Sequence, residues 1–340
     1  MTSALAHRTI RRFAARPGGV RHSRTIWNHV LMQPDSLDIS DSVTWDDGIP
    51  RPHWDLIDAW IDTRVPTEMH DEAWTDISRQ WLGMLADVFA GSLAVWESDR
   101  ILMLAPNHEA IASTFLRSAE ASMEHIFRSF HDLIEHSFPG KQTMLVLDYP
   151  DDYYRYVEPF QPEGQLGGSS GMHIRVGMPH IVIAQANITR VEMTIAHEMT
   201  HAALMYLSLP AWIDEGLAQL IERDVIRQSL MLDEKAVQTA KRFWGTNGLD
   251  IFWRGEGFSM PGKAQQQSYQ LAEVLVRLLI EEYRPTWFGW NLEPRRKLIA
   301  FLREAKHDDC GEEAARTQLG LGLSEIAGLF LGPGEWGPVL

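Results

Sequence analysis

His197-Glu198-Met199-Thr200-His201 places two histidines four residues apart, with a carboxylate next to the first. On an α-helix this spacing turns the two imidazoles about 40° from one another and separates them by about 6 Å along the axis. Both can then reach one metal ion. A catalytic zinc ion takes three protein ligands and leaves a fourth position to water. Glu198 sits where a general base for that water is wanted. H-E-x-x-H also recurs by chance, so its surroundings decide how it is read.

Those surroundings predict two consecutive helices. Asn187 or Thr189 can cap the first, which runs from Ile188 towards Leu207. Val191, Ile195, Ala202 and Leu204 give it an apolar face. Ser208-Leu209-Pro210 breaks it, and Pro210 is a suitable opening for a second helix from Ala211 to Glu222. Glu215 lies on that second helix, fourteen residues after His201. An antiparallel return can bring it back to the histidines as a hard oxygen ligand, completing a His2Glu zinc site. Standing alone, Asp214 and Glu215 read as an exposed acidic first turn that complements the helix dipole. Beside the upstream motif they read as part of the site.

His197-Glu-x-x-His201 followed by Leu209-Pro-Ala-Trp-Ile-Asp-Glu215-Gly-Leu-Ala resembles the gluzincin metallopeptidases, the thermolysin-like and aminopeptidase-like clan. The resemblance is strongest over residues 188–222. It implies that His197, His201 and Glu215 bind one Zn2+ ion and that Glu198 is the base. It implies a zincin-like core in which an edge strand before the zinc helix pairs with extended substrate; Ile181 to Ala184 is the strand expected there. Clan members often place a tyrosine near the start of a later helix, a position filled here by Tyr269. Two departures stand out. The G-x-M-E-N stretch that anchors a substrate amine in the clan's aminopeptidases is missing, since Gly171-Met172-His173-Ile174 has no acid in the right place. The interval from His201 to Glu215 is also shorter than in thermolysin-like enzymes.

Other residues are candidates in their own right. Tyr269 opens a periodic segment with Leu271, Val274, Leu275 and Leu278 on one face, and its hydroxyl could stabilise an oxyanion. Gln219, four residues after Glu215, could accept the second N–H of a ligand histidine; Asp214 is a further candidate for that role. The glycine-rich stretch Gly164 to Gly171 reads as a hairpin connection or a lid. His173 and His180 read as structural. Tyr153, Tyr154 and Tyr156 read as aromatic packing at a helix start, with a substrate rim as the other option. Cys310, the one cysteine, excludes an intrachain disulfide and plays no part in the zinc argument.

The chain has 340 residues and a net charge of −15. Residues 1–34 carry six arginines and no acid, so removing that +6 leaves −21 on the rest. An acidic body excludes nucleic-acid binding by bulk electrostatics. No apolar run approaches the eighteen or so residues that cross a bilayer. The basic head is either a loose tail or a transit segment, without the apolar core of a secretory signal, and a cytoplasmic location is expected.

Periodicity divides the chain into a basic tail over 1–35, an α/β lobe over 36–186 and a helical lobe over 187–340. Helices are expected over Asp71–Ala90 and, capped by Asn107, up to about His136. Strands are expected at Leu93–Trp96, Arg100–Leu104, Thr143–Leu147, His173–Val176 and His180–Ala184. Further helices are expected at Asp233–Phe243, Gln267–Tyr283, Glu293–Ala305 and Leu323–Leu329. The fold class is α+β, a mixed sheet followed by helices, with the zinc helices at the junction. The expected function is a zinc metallopeptidase acting on peptide or protein substrates. The alternative is a catalytically silent protein of the same fold that binds peptides or partner proteins; oligomeric state is open.

Overall fold

Ile101, Met103 and Ala105 are buried on one face of a sheet, and Leu102 and Leu104 on the other. Successive strand side chains point to opposite faces, so a run that is apolar at every position needs cover on both sides. The computed structural model, which describes residues 37–89, 93–134, 138–161, 170–184, 187–228, 230, 234–284 and 292–339, provides that cover. The tail 1–35 lies outside the described residues, as do residues 164–169 of the glycine-rich stretch.

The chain opens with a hairpin, β1 (Val43–Asp46) and β2 (Ile49–Pro52), turned at Asp47-Gly48. Helices α1 (Trp54–Arg64) and α2 (His70–Val88) follow. Next come β3 (Leu93–Glu97), β4 (Ile101–Pro106), α3 (Glu109–Phe130), β5 (Gln142–Leu147) and α4 (Pro150–Val157). Strands β6 (Gly171–Ile174) and β7 (His180–Ala184) complete the sheet. The remainder is helical: α5 (Ile188–Ala203), α6 (Ala211–Val225), α7 (Glu234–Asn247), α8 (Asp250–Trp253), α9 (Glu256–Ser259), α10 (Lys263–Glu282), α11 (Glu293–Glu304), α12 (Glu312–Ala314) and α13 (Leu323–Leu331). The class is therefore α+β, with strands before and helices after. Among the described residues no helix is long and apolar enough to cross a membrane.

The five-stranded sheet has the order β3-β4-β5-β7-β6. Strands β4, β5 and β7 are parallel; β3 and β6 flank them antiparallel. This corrects one expectation. Ile181–Ala184 is an interior strand between β5 and β6, and the edge beside the H-E-x-x-H helix is β6. The chain runs out along β6 and returns along β7 after a five-residue turn, so β6 occupies the outer position. β6 also starts and ends two residues earlier than the expected His173–Val176. Two further expectations shift. His108, not Asn107, is the N-cap of α3, with no side-chain capping bond, and the helix stops at Phe130. On α10 the core face is Leu271, Ala272, Leu275, Val276 and Leu279, while Leu278 is only half-buried.

One core packs α1, α2 and α4 against the sheet. The other joins the opposite sheet face to α3, α5, α6, α10 and α11 without a break. α5 thus lies directly on the sheet. Val191, Ile195, Ala196, Met199 and Ala202 form its buried stripe, at helical spacing. Asn187 Oδ1 accepts from the Arg190 amide, 2.9 Å away, and caps it.

His180 and the tyrosines belong to the first core, away from the H-E-x-x-H helix. Tyr153 and Tyr156 are buried, and the Tyr156 hydroxyl lies 2.8 Å from His180 Nε2. These tyrosines are packing residues, and no rim of a cleft. Burial holds the His180 imidazole down to about 4, from an ordinary 6.5. Above 6.5 the ring is neutral folded or unfolded. Below it the unfolded chain takes the proton first, so stability falls as the pH drops towards 4. Chemical denaturation of wild type and His180→Gln at pH 7 and pH 5 should show the wild type losing about 2 kcal/mol more across the interval. Parallel losses would mean that His180 titrates normally in the fold.

Candidate metal centre

Seven residues separate Arg190 from His197, and four separate His197 from His201. Arg190, Thr194, His197, Glu198 and His201 therefore share one side of α5, opposite its buried stripe. The return helix α6 carries a matching row, Glu215, Gln219 and Glu222, at intervals of four and three. Where these rows face each other, three ligand atoms converge. His197 Nε2 and His201 Nε2 are 3.1 Å apart. Glu215 Oε2 is 3.3 Å from the first and 3.6 Å from the second. This cluster can hold a metal ion.

Packing fixes that meeting. Trp212 is fully buried against Phe252, Trp253 and Phe301, with ring centroids 5.4–6.4 Å away. Its indole N–H donates to the Cys310 carbonyl at 2.9 Å. Truncating a buried aromatic of this size typically costs about 3–5 kcal/mol. A charge in the first turn of a helix gains only about 0.3–1 kcal/mol from the dipole. The Trp212 anchor therefore sets the pose of the first turn of α6, and Asp214 and Glu215 face the histidines, not bulk solvent. Gly216 lets α10 come close: a Cβ there would lie 2.6 Å from Val276 Cγ2 and 2.7 Å from the Ala272 carbonyl.

Each imidazole is backed on its other nitrogen. His197 Nδ1 is 3.2 Å from Glu222 Oε2, and His201 Nδ1 is 3.1 Å from Asp214 Oδ1. Asp214 in turn lies 3.6 Å from the Arg175 guanidinium. Gln219 reaches the same place but in another capacity, donating to Glu222 Oε2 at 3.1 Å. Glu222 was not singled out from the sequence. Its signal was available, as the next position on the Glu215–Gln219 stripe. A carboxylate hydrogen-bonded to Nδ1, as Glu222 is to that of His197, fixes the tautomer that leaves a lone pair on Nε2.

The field of the cluster favours a cation. Burial alone would lower both imidazoles, yet Glu215 and Glu222 lift His197 to about 9, and Asp214 and Glu215 lift His201 well above its ordinary value. Burial would raise Glu215, but the two imidazoles hold it far below the usual carboxylate range.

Glu198 is buried beside the ligands, under the edge strand. Burial raises its carboxyl above the ordinary value, against the pull of His197 and His201 and a hydrogen bond from the His173 amide. β6 can approach this closely because residue 171 is glycine. A Cβ there would sit 2.3 Å from Thr194 Cγ2 and 2.9 Å from the Glu198 carboxylate. The His173 side chain comes down on the same side, and both its ring nitrogens are buried without a hydrogen-bond partner. Tyr269 packs its ring 6.4 Å from that of His197 and edge-on to Phe258. Burial and the carboxylates Glu215, Glu198 and Glu222 keep its phenol protonated.

A cavity of about 570 Å³ opens from His197, Glu198 and Tyr269. Of the residues singled out from the sequence, His197, Glu198 and Tyr269 line this space, His201 and Glu215 lie behind His197, and His180 stands outside it. No model of a known protein family matches the chain, and no curated protein matches it significantly.

Losing the carboxylate behind a ligand histidine usually weakens a metal about 10- to 100-fold. Glu222→Gln should show that loss in a zinc titration against a competing chelator, with the helical signal unchanged. Wild-type affinity in the variant would leave Glu222 without this role.

Proposed function

We propose that this chain is a zinc-dependent metallopeptidase of the gluzincin type. The observation that carries the reading is the triangle of ligand atoms, with sides of 3.1, 3.3 and 3.6 Å, backed by Glu222 and Asp214. Zn–N and Zn–O bonds of about 2.0–2.2 Å at tetrahedral angles require sides of roughly 3.3–3.6 Å. Two imidazoles and one carboxylate are also a donor set that suits zinc better than magnesium or calcium. His197, His201 and Glu215 would hold the ion. When bound, zinc supplies a Lewis acid that brings the pKa of water towards neutrality and polarises a carbonyl.

The chain's own residues account for the rest. Burial raises the Glu198 carboxyl, which makes it a stronger proton acceptor than an exposed carboxylate. Glu198 takes a proton as water oxygen bonds to the scissile carbonyl carbon. It delivers the proton to the nitrogen as the C–N bond breaks, so the products are a carboxylic acid and an amine. Tyr269, kept protonated, donates a hydrogen bond to the oxyanion. The outer edge of β6, beside Glu198, is where an extended peptide backbone can add as a further strand.

Glu198→Gln should keep its zinc and lose hydrolysis by orders of magnitude. The readout is a diverse peptide mixture followed by mass spectrometry, with and without chelator. Full activity in that variant would end this mechanism. A zinc-loaded wild type that binds peptides but never cuts them would favour the silent binding protein instead. Tyr269→Phe should lower kcat about 100- to 1,000-fold without releasing metal, the range seen when one oxyanion donor is removed. Unchanged turnover would remove the phenol from the chemistry.

A further inference from the structure

The cleft-facing stripe of α5 does not end at the metal centre. It continues to Arg190, two helical turns before His197, or about 10.5 Å along the axis. Arg190, Met193, Thr194, His197 and Glu198 line the same cavity. Arg190 is the one arginine or lysine among the described residues lining it. Its guanidinium makes no hydrogen bond or ion pair with any described residue, and the residue is exposed. The nearby arginines are engaged: Arg175 with Asp214, and Arg223 with Glu273 at 2.7 Å. Asn187 already caps the Arg190 amide at the α5 N-terminus, and the full positive charge at this end of the cavity is the Arg190 side chain.

Which half of a substrate enters this cavity follows from the proton's route. The leaving amine must come within reach of Glu198. The leaving half therefore lies on the side to which Glu198 opens, the cavity that ends at Arg190. His201, Asp214 and Arg175 are absent from its lining. An extended peptide advances about 3.3 Å per residue, so two or three residues past the cleaved bond bring the chain level with Arg190. The acids that line the cavity, Glu198 and Glu222, stand at the metal end. A second carboxylate is repelled there and attracted at the Arg190 end, where a guanidinium can hold it bidentately.

We infer that Arg190 is a specificity-determining residue that binds a substrate carboxylate two or three residues past the cleaved bond. The inference rests on the metallopeptidase reading. That carboxylate can be the peptide's C-terminus, which makes short C-terminal fragments the product, or an Asp or Glu side chain inside a longer chain.

The test uses three sets of peptides: free C-terminal acids, C-terminal amides without Asp or Glu, and C-terminal amides that contain them. Zinc-loaded wild type, Arg190→Gln and Arg190→Lys are compared by product masses and kcat/KM. A charge-assisted hydrogen bond is worth about ten-fold or more. Wild type should favour one carboxylate set over neutral amides by that factor, cutting two or three residues before the carboxylate. Arg190→Gln should lose the preference, chiefly through KM, and Arg190→Lys should keep part of it. The favoured set identifies the carboxylate. Neutral amides cut as fast as both other sets, or a preference that survives in Arg190→Gln, would overturn the assignment and leave the hydrolase standing. Failure of zinc-loaded wild type to cut any set would sink the metallopeptidase reading, and the assignment with it.

Discussion

Two imidazole nitrogens held 3.1 Å apart, with a carboxylate oxygen within 3.6 Å of both, cannot all be satisfied by one another. If each ring donates from Nδ1 to its carboxylate, the two Nε2 atoms turn lone pairs towards the same point. Only a proton or a metal ion resolves that contact. Asp214, Glu215 and Glu222 surround the pair with more negative charge than two imidazoles can neutralise without protonation. The cluster is therefore unstable as an assembly of neutral groups and favourable around a divalent cation. The remainder of the fold can be understood as what holds this arrangement against its own repulsion: a sheet under α5, a tryptophan anchor at the start of α6, and a glycine that lets α10 close over both.

The site is also asymmetric, and its asymmetry follows from β6. On the His201 side, Asp214 and Arg175 close the approach with an ion pair. On the His197 side, Glu198, Thr194 and Arg190 open into the cavity. Gly171 lets the edge strand lie over Glu198. Burial under that strand raises the Glu198 carboxyl above its ordinary value. A side chain at position 171 would separate strand from helix and expose Glu198 to solvent, so the base and the strand edge depend on one residue.

Local and periodic features were legible in the sequence. The spacing of His197, His201 and Glu215, the Asn187 cap and the helical stripe of α5 all depend on residues near one another in the chain. What could not be read depends on distant pairings. The order of the strands is set by which strand returns beside which, and apolar runs such as those of β5 and β7 fit any interior place. Sequence alone therefore does not separate the interior place of Ile181–Ala184 from an edge. In sequence a glutamate in the fourth turn of an amphipathic helix, such as Glu222, looks solvated until α5 is laid against that face. The Asp47-Gly48 turn was a legible signal that went unused, its two residues adopting φ of 47° and 70° as a two-residue hairpin requires.

The stretch Pro210 to Gly216 reads as one motif, but the structure divides it into separate physical tasks. Pro210 stands at the N-cap of α6, with φ of −56°. Trp212 fixes the helix to the C-terminal core, and Asp214 supports His201 from behind. Glu215 completes the ligand triangle, and Gly216 admits α10 with Tyr269 on it. These tasks are not independent. Glu215 and Gly216 are adjacent, so they point about 100° apart around the helix, one to the histidine pair and one to α10. Tyr269 must enter the same corner, because α10 touches α6 where the glycine stands. The meeting of the Glu215 carboxylate, the Tyr269 phenol and a packed helix at one place is achieved by neighbouring residues whose directions the helix itself determines. That is a stronger reason for their order in the sequence than resemblance to any family.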